Sequence, residues 1–259
     1  SRMNRSFASI RMFGSLGYAV CAILFGLLLK TYGSALTIVL ALGTLAIALV
    51  ISFIVADYQA SVRKFEFTAF LAILRRRETL GFLVFIMLVS VAHRINEGFL
   101  SVAMRDFGAS DDVIGIASLV SSVSEIPIFF LLAKYGHRYR EFALLAVASI
   151  MYVIRMLLLS GISHPWGFVL IQAMHSVTFG IFYVTALRCL QTMIPDEYRS
   201  SGQAVFTVVW SGLAGLTAGV LGGSLYDAFG SAMLFRAGAV FAALGCAGFL
   251  IFHFRRSAP

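Results

Sequence analysis

Residues 141–192 read EFALLAVASIMYVIRMLLLSGISHPWGFVLIQAMHSVTFGIFYVTALRCLQT. Two apolar runs, about 141 to 161 and 167 to 192, flank the turn Ser163-His164-Pro165, and each meets the ~20 residues needed to cross ~30 Å of hydrocarbon. Neither run alternates apolar and polar residues as a barrel strand does, so the pair predicts a hairpin of membrane-spanning helices. Each carries one costly interruption: Arg155 stands about six residues from the outer end of the first, and His175 about eight residues into the second. At a rise of ~1.5 Å per residue, Arg155 sits roughly 9 Å below the surface, and His175 reaches a similar depth on the neighbouring helix. Charged groups cost about 2.5–3.5 kcal/mol near a helix centre on insertion scales, which makes them functional candidates. Gln172, His175 and Thr178 recur every third residue, a polar stripe suited to a cavity rather than to lipid.

The rest of the chain repeats this pattern. Hydrophobic residues make up 60% of the 259, charged residues 12%, and the mean hydropathy is +0.92, a balance foreign to soluble domains. Six further apolar runs lie at about 8 to 29, 34 to 55, 80 to 102, 113 to 134, 201 to 224 and 231 to 253. The predicted fold is therefore all-α, a polytopic membrane protein with eight transmembrane helices. A net charge of +8 suggests nucleic acid in a soluble protein, but here the placement of the charges matters more than their sum. With the N-terminus taken as cytoplasmic, thirteen Lys and Arg fall in inside segments, among them Arg5, Arg63, Arg75, Lys134, Arg199 and Arg255, and only Lys30 and Arg105 fall outside. The positive-inside rule then places both termini in the cytoplasm and the chain in the cell inner (plasma) membrane. Cys21, Cys189 and Cys246 all lie within apolar runs and read as small hydrophobes rather than as a disulfide or metal framework.

Four further features bear on function. Ala92-His93-Arg94-Ile95-Asn96-Glu97-Gly98 places Arg94 and His93 at i+3 and i+4 spacing from Glu97, which fits an internal ion pair as well as a working site. Glu125, in Ser124-Glu125-Ile126-Pro127, stands mid-span with no cation close in sequence, beside a proline that removes a backbone donor. It suits a group that picks up and releases a proton, and a structural pair with Arg155 is the plainer alternative. Arg188 and Arg236 lie near span ends and read as helix anchors. Gly212, Gly215, Gly219, Gly222 and Gly223, with Gly14 and Gly17, predict close backbone approach.

Arg11-Met12-Phe13-Gly14-Ser15-Leu16-Gly17-Tyr18 resembles the fifth helix of the lactose permease branch of the major facilitator superfamily. Gln172-Ala173-Met174-His175-Ser176-Val177-Thr178-Phe179-Gly180 resembles the tenth helix of that branch, and Arg155 matches the ninth-helix arginine that partners its coupling groups. Arg105-Asp106-Phe107-Gly108-Ala109-Ser110 and Ser124-Glu125-Ile126-Pro127 are similar to the 3-phenylpropionate transporter group. Where lactose permease has a Lys and a Glu flanking the tenth-helix histidine, this chain has Gln172 and Thr178, which shifts attention to Glu125. The resemblance implies a major facilitator-like bundle in which residues 1–56 are the last two helices of the N-terminal bundle, 57–79 the cytoplasmic central linker, and 80–259 the C-terminal six-helix bundle. It also implies that the carrier's first four helices precede Ser1.

The function expected is secondary active transport, a proton-coupled symport of a small polar or anionic solute (sugar, aromatic acid or nucleoside-like) by alternating access. Arg11, Tyr18, Asn96 and Gln172 are the substrate-binding candidates; Glu125, Arg155, His175 and Glu97 are the proton-coupling candidates. The expected partners are the solute, protons, the lipid bilayer and the missing N-terminal helices of the same carrier, with no nucleic acid, cofactor or metal. A P-loop is absent from the sequence, and no enzymatic activity is expected. The competing classes are a non-transporting membrane receptor or assembly subunit and an intramembrane enzyme. Cysteine labelling tests the orientation: cysteines at Arg75 and Lys134 are expected to react only from the cytoplasm and one at Asp111 only from outside, and periplasmic labelling at both inside positions overturns it.

Overall fold

Long apolar runs must satisfy their backbone polar groups internally, and helices do so without a partner. A computed structural model describes residues 7–33, 35–54 and 67–257, and among them there is no strand. The helices are α1 (Phe7–Tyr32), α2 (Leu36–Ile54), α3 (Phe67–Leu74), α4 (Arg77–Asp106), α5 (Asp111–Tyr135), α6 (Glu141–Ser160), α7 (Pro165–Gln172), α8 (Ile181–Met193), α9 (Arg199–Thr207) and α10 (Ala214–Ser257). Arg63 and Lys64, expected in the linker, lie outside the described residues, and the second half of the expected linker carries the short helix α3.

Six helical stretches among the described residues are long and apolar enough to cross a membrane. The last of them, Asp196–Arg255, runs for 60 residues, far more than one crossing takes. It makes two passes, because Gly230 (φ 76°, ψ 179°) turns the chain inside α10 where a side chain would be strained. With α1 the count is the eight helices expected from the sequence.

The span read as one helix over 167 to 192 is irregular at its centre. After α7 the amides of Ala173 and Met174 bond the carbonyls of Leu170 and Ile171 in tight i→i−3 fashion, and Ser176–Gly180 then widens into a π-helical segment. A second π-helical segment, Val208–Leu213, joins α9 to α10. Such segments displace side chains from helical register and recur at functional sites.

Close packing falls where the glycine pattern did not point. Added β-carbons at Gly14, Gly17, Gly215, Gly219 and Gly223 would meet nothing within 4 Å. The tight contact is between the second half of α10 and α4, where a β-carbon on Gly245 would stand 3.1 Å from the Phe85 carbonyl. Gly248 admits the Phe85 ring in the same way, beside edge-to-face contacts of Phe85 with Phe249 and Phe252 at 5.8 and 5.3 Å. Of the glycines singled out from the sequence in span 201 to 224, Gly222 does sit against a neighbour, since a β-carbon there would stand 2.8 Å from the Phe99 ring.

Near the end of α8 Arg188 donates to the carbonyls of Gly136 (2.5 Å) and Tyr139 (3.2 Å) and pairs with Glu141 at 3.2 Å, so it anchors the turn between α5 and α6. Arg236 is exposed. α1 packs along α5, while α2 buries none of its residues. All three cysteines are unbridged; Cys21 is exposed, unlike buried Cys189 and Cys246.

Candidate functional site

Arg155 is wholly buried at 0% exposure, so its guanidinium must find its partners inside the protein. It finds them on the irregular span: NH1 donates to Thr178 Oγ1 at 3.0 Å and bonds His175 Nδ1 at 3.1 Å, and NH2 donates to Gln172 Oε1 at 2.5 Å. The residues spaced three apart in the sequence thus converge on one fork. A regular helix turns ~100° per residue and carries i and i+6 far apart; the π-helical widening after His175 lets Thr178 stay beside it.

A guanidinium is only a donor, and this fixes its neighbours. His175 Nδ1 must hold a lone pair, so the ring is neutral and carries its hydrogen on Nε2. That nitrogen lies 3.1 Å from Glu125 Oε1 and donates to it. Gln172 must present its oxygen to Arg155, which leaves the Nε2 amide without a protein partner among the described residues. Glu125 is buried too, and its other oxygen accepts from Ser15 Oγ on α1. The result is a continuous chain from α6 through the α7 to α8 span and α5 to α1. Glu125 does not pair directly with Arg155; His175 stands between them.

Beside this chain lies a cavity of about 470 Å³, inside the ~300–1,000 Å³ range of small-molecule sites. Its wall includes Tyr18 and Ser15 from α1, Asn96 and Glu97 from α4, Ser118, Ser121, Ser122 and Glu125 from α5, and Gln172 and His175. Asn96 is 3% exposed, and its Oδ1 has no protein partner among the described residues. The side chain of Arg11 lies outside the described residues. Arg155 is set behind the wall and reaches the cavity only through Gln172 and His175. No Lys or Arg is among the described residues lining it.

Glu97 accepts from Arg94 NH1 at 2.6 Å, and Arg94 also donates to Ser211 Oγ (2.7 Å) and the Trp210 carbonyl (3.3 Å). The ion pair suggested by i+3 spacing is present, and it also ties α4 to the second π-helical segment. Sequence reasoning missed two contributors. Ser15 stood inside a quoted motif as an ordinary small residue, and nothing in its own helix signals a carboxylate on α5. Tyr152, one turn before Arg155, is fully buried and bonds His93 Nδ1 at 3.1 Å; its i−3 spacing from Arg155 was the available signal.

Spanning helices round a polar cavity define a multi-pass α-helical membrane protein. The sequence pattern of the MFS_1 like family matches residues 1–237, and the chain belongs to that family, within the major facilitator superfamily. It is 20% identical over 247 residues, 95% of its own length, to a Bacillus subtilis (strain 168) protein named "Uncharacterized transporter YwbF", and spans 61% of that protein's length.

The geometry at Arg155 calls for a fork as well as a charge. Arg155→Lys keeps the charge but not the planar set of donors, and each buried acceptor left unmatched costs about 1–3 kcal/mol. Thermal unfolding of the purified protein is expected to shift to clearly lower temperature in this variant; an unchanged midpoint would show that the fork is not needed.

Proposed function

We propose that this chain is the major part of a secondary active transporter that couples the entry of a small polar solute to the movement of a proton. The observation that carries this reading is the chain Arg155–His175–Glu125–Ser15 in the wall of a chamber lined by unmatched polar groups. The printed name of the B. subtilis relative, a transporter, supports the coarser part of it, and the resemblance to the lactose permease and 3-phenylpropionate branch supports the proton.

Within this reading residues 1–56 complete an N-terminal bundle, 57–79 form the cytoplasmic linker, and 80–259 are the C-terminal bundle, with both termini cytoplasmic. Glu125 exchanges the proton. His175 is not free to do so, since a hydrogen on Nδ1 would face the Arg155 donors at 3.1 Å. As a carboxylate, Glu125 accepts from both His175 and Ser15; once protonated on the oxygen facing Ser15, it becomes the donor there. Protonation thereby reverses a hydrogen bond between α1 and α5, helices of the two bundles whose rocking would expose the chamber to one side and then the other. Tyr18, Asn96 and Gln172 hold the solute: the phenol ring supplies a face, and the two carboxamides supply a free acceptor and a free donor. The serine hydroxyls of α5 and the absence of Lys or Arg among the described lining residues favour the polar, hydroxyl-bearing end of the solutes considered over an anionic one.

The test uses the full-length carrier in vesicles with sugars, nucleosides and aromatic acids as candidate solutes. Glu125→Gln is expected to abolish uphill accumulation driven by an imposed pH gradient while leaving solute exchange across the membrane. Undiminished accumulation by that variant would remove Glu125 from the coupling role.

A further inference from the structure

The chamber wall hides a second buried imidazole. His93, on α4, is 1% exposed; its Nδ1 lies 3.1 Å from the Tyr152 hydroxyl and its Nε2 lies 3.3 Å from Glu97 Oε1. Its ring stacks on Phe179 at 5.0 Å with planes 10° apart and faces Trp210 at 5.0 Å with planes 33° apart. Both rings come from the π-helical segments, Phe179 from Ser176–Gly180 and Trp210 from Val208–Leu213. The two irregular turns of the protein therefore close on one side chain.

We propose that His93 is a protonation site of this carrier, separate from Glu125, with the Glu97 carboxylate as its counter-ion and Tyr152 as the group that tolerates either ring state. This rests on the proton-coupled reading above and adds a second proton-bearing residue to it. The contrast with His175 carries the inference. His175 faces a guanidinium, which can never accept, so adding a proton breaks a buried contact. His93 faces a phenol, which both donates and accepts. In its neutral form Nε2–H faces the Glu97 carboxylate and Nδ1 accepts from the Tyr152 hydroxyl. A proton added at Nδ1 turns that bond round, Nδ1–H donating to the phenol oxygen, and both contacts survive.

Burial opposes the added charge, as do the nearby cations Arg94 on α4 and Arg155 on α6. Arg94 is already matched by Glu97 at 2.6 Å. Two aromatic faces against the ring favour the cation, and the Glu97 carboxylate lies 3.3 Å from its Nε2. The other titratable neighbours are Tyr152 on α6 and His175, whose ring centre is 5.8 Å away and which links onward to Glu125. The π-helical segment Val208–Leu213 adds no titratable side chain. Glu97 lines the chamber and is partly exposed.

The test needs no solute. The full-length protein, labelled with nitrogen-15 at its histidines and embedded in lipid nanodiscs, is followed by NMR from about pH 9 to about pH 4, across the ordinary imidazole value of ~6.5. The imidazole whose signals vanish in His93→Gln is expected to pass from one protonated nitrogen to two. Glu97→Gln is expected to lower its midpoint by about one unit or more, a tenfold loss of proton affinity, and this variant reads the same resonance even if His93→Gln does not fold. A His93 ring that keeps one protonated nitrogen throughout, or a midpoint that Glu97→Gln leaves in place, overturns the proposal. Uptake that ignores an imposed pH gradient while His93 still titrates would instead overturn the coupled-transport reading and leave the protonation site standing.

Discussion

A guanidinium sealed from water is the constraint round which this protein is arranged. Arg155 has no exposed surface, and an unmatched charge in such surroundings would be prohibitive. Three acceptors from one neighbouring span answer it: Gln172, His175 and Thr178. To bring them to a single fork the span abandons regular helix, tightening after α7 and widening at Ser176–Gly180. The carboxylate that balances the charge stands one residue further out, with a neutral imidazole in between.

From that centre the consequences run outward in two directions. Through Glu125 and Ser15 the network reaches α1, the helix packed along α5. Through Tyr152 and His93 it reaches Glu97, Arg94 and the second π-helical segment, where Arg94 holds Ser211 and the Trp210 carbonyl. Aromatic rings pack against both imidazoles between these branches, while the chamber side presents serines, carboxamides and carboxyls.

Much of this is legible in the sequence. Helix number and approximate ends follow from hydropathy, since a bilayer allows few alternatives to an apolar helix. Counting residues from a hairpin turn places Arg155 and His175 at one depth, and spacing alone gives the stripe Gln172, His175, Thr178. The features hidden from the sequence come from contacts between distant segments. Ser15 is one small polar residue among many until Glu125 is found beside it, 110 positions away. The glycines of span 201 to 224 look like a packing face, yet of these Gly215, Gly219 and Gly223 meet nothing while Gly222, with Gly245 and Gly248 further on, makes the close approach, because helix rotation about its own axis decides which face meets a neighbour. The π-helical turns are invisible for a similar reason: they depend on where hydrogen-bonding partners lie in space.

The account turns on Glu125 changing protonation inside the bilayer. Infrared difference spectroscopy of the full-length protein in lipid, taken between neutral and acid pH, reads that event as the appearance of a carboxylic acid carbonyl stretch. The band is expected in the wild-type protein and in Glu97→Gln, to shift in Ser15→Ala because the carboxyl loses its partner on α1, and to be missing in Glu125→Gln. A band that persists unchanged in Glu125→Gln would contradict the account at its centre.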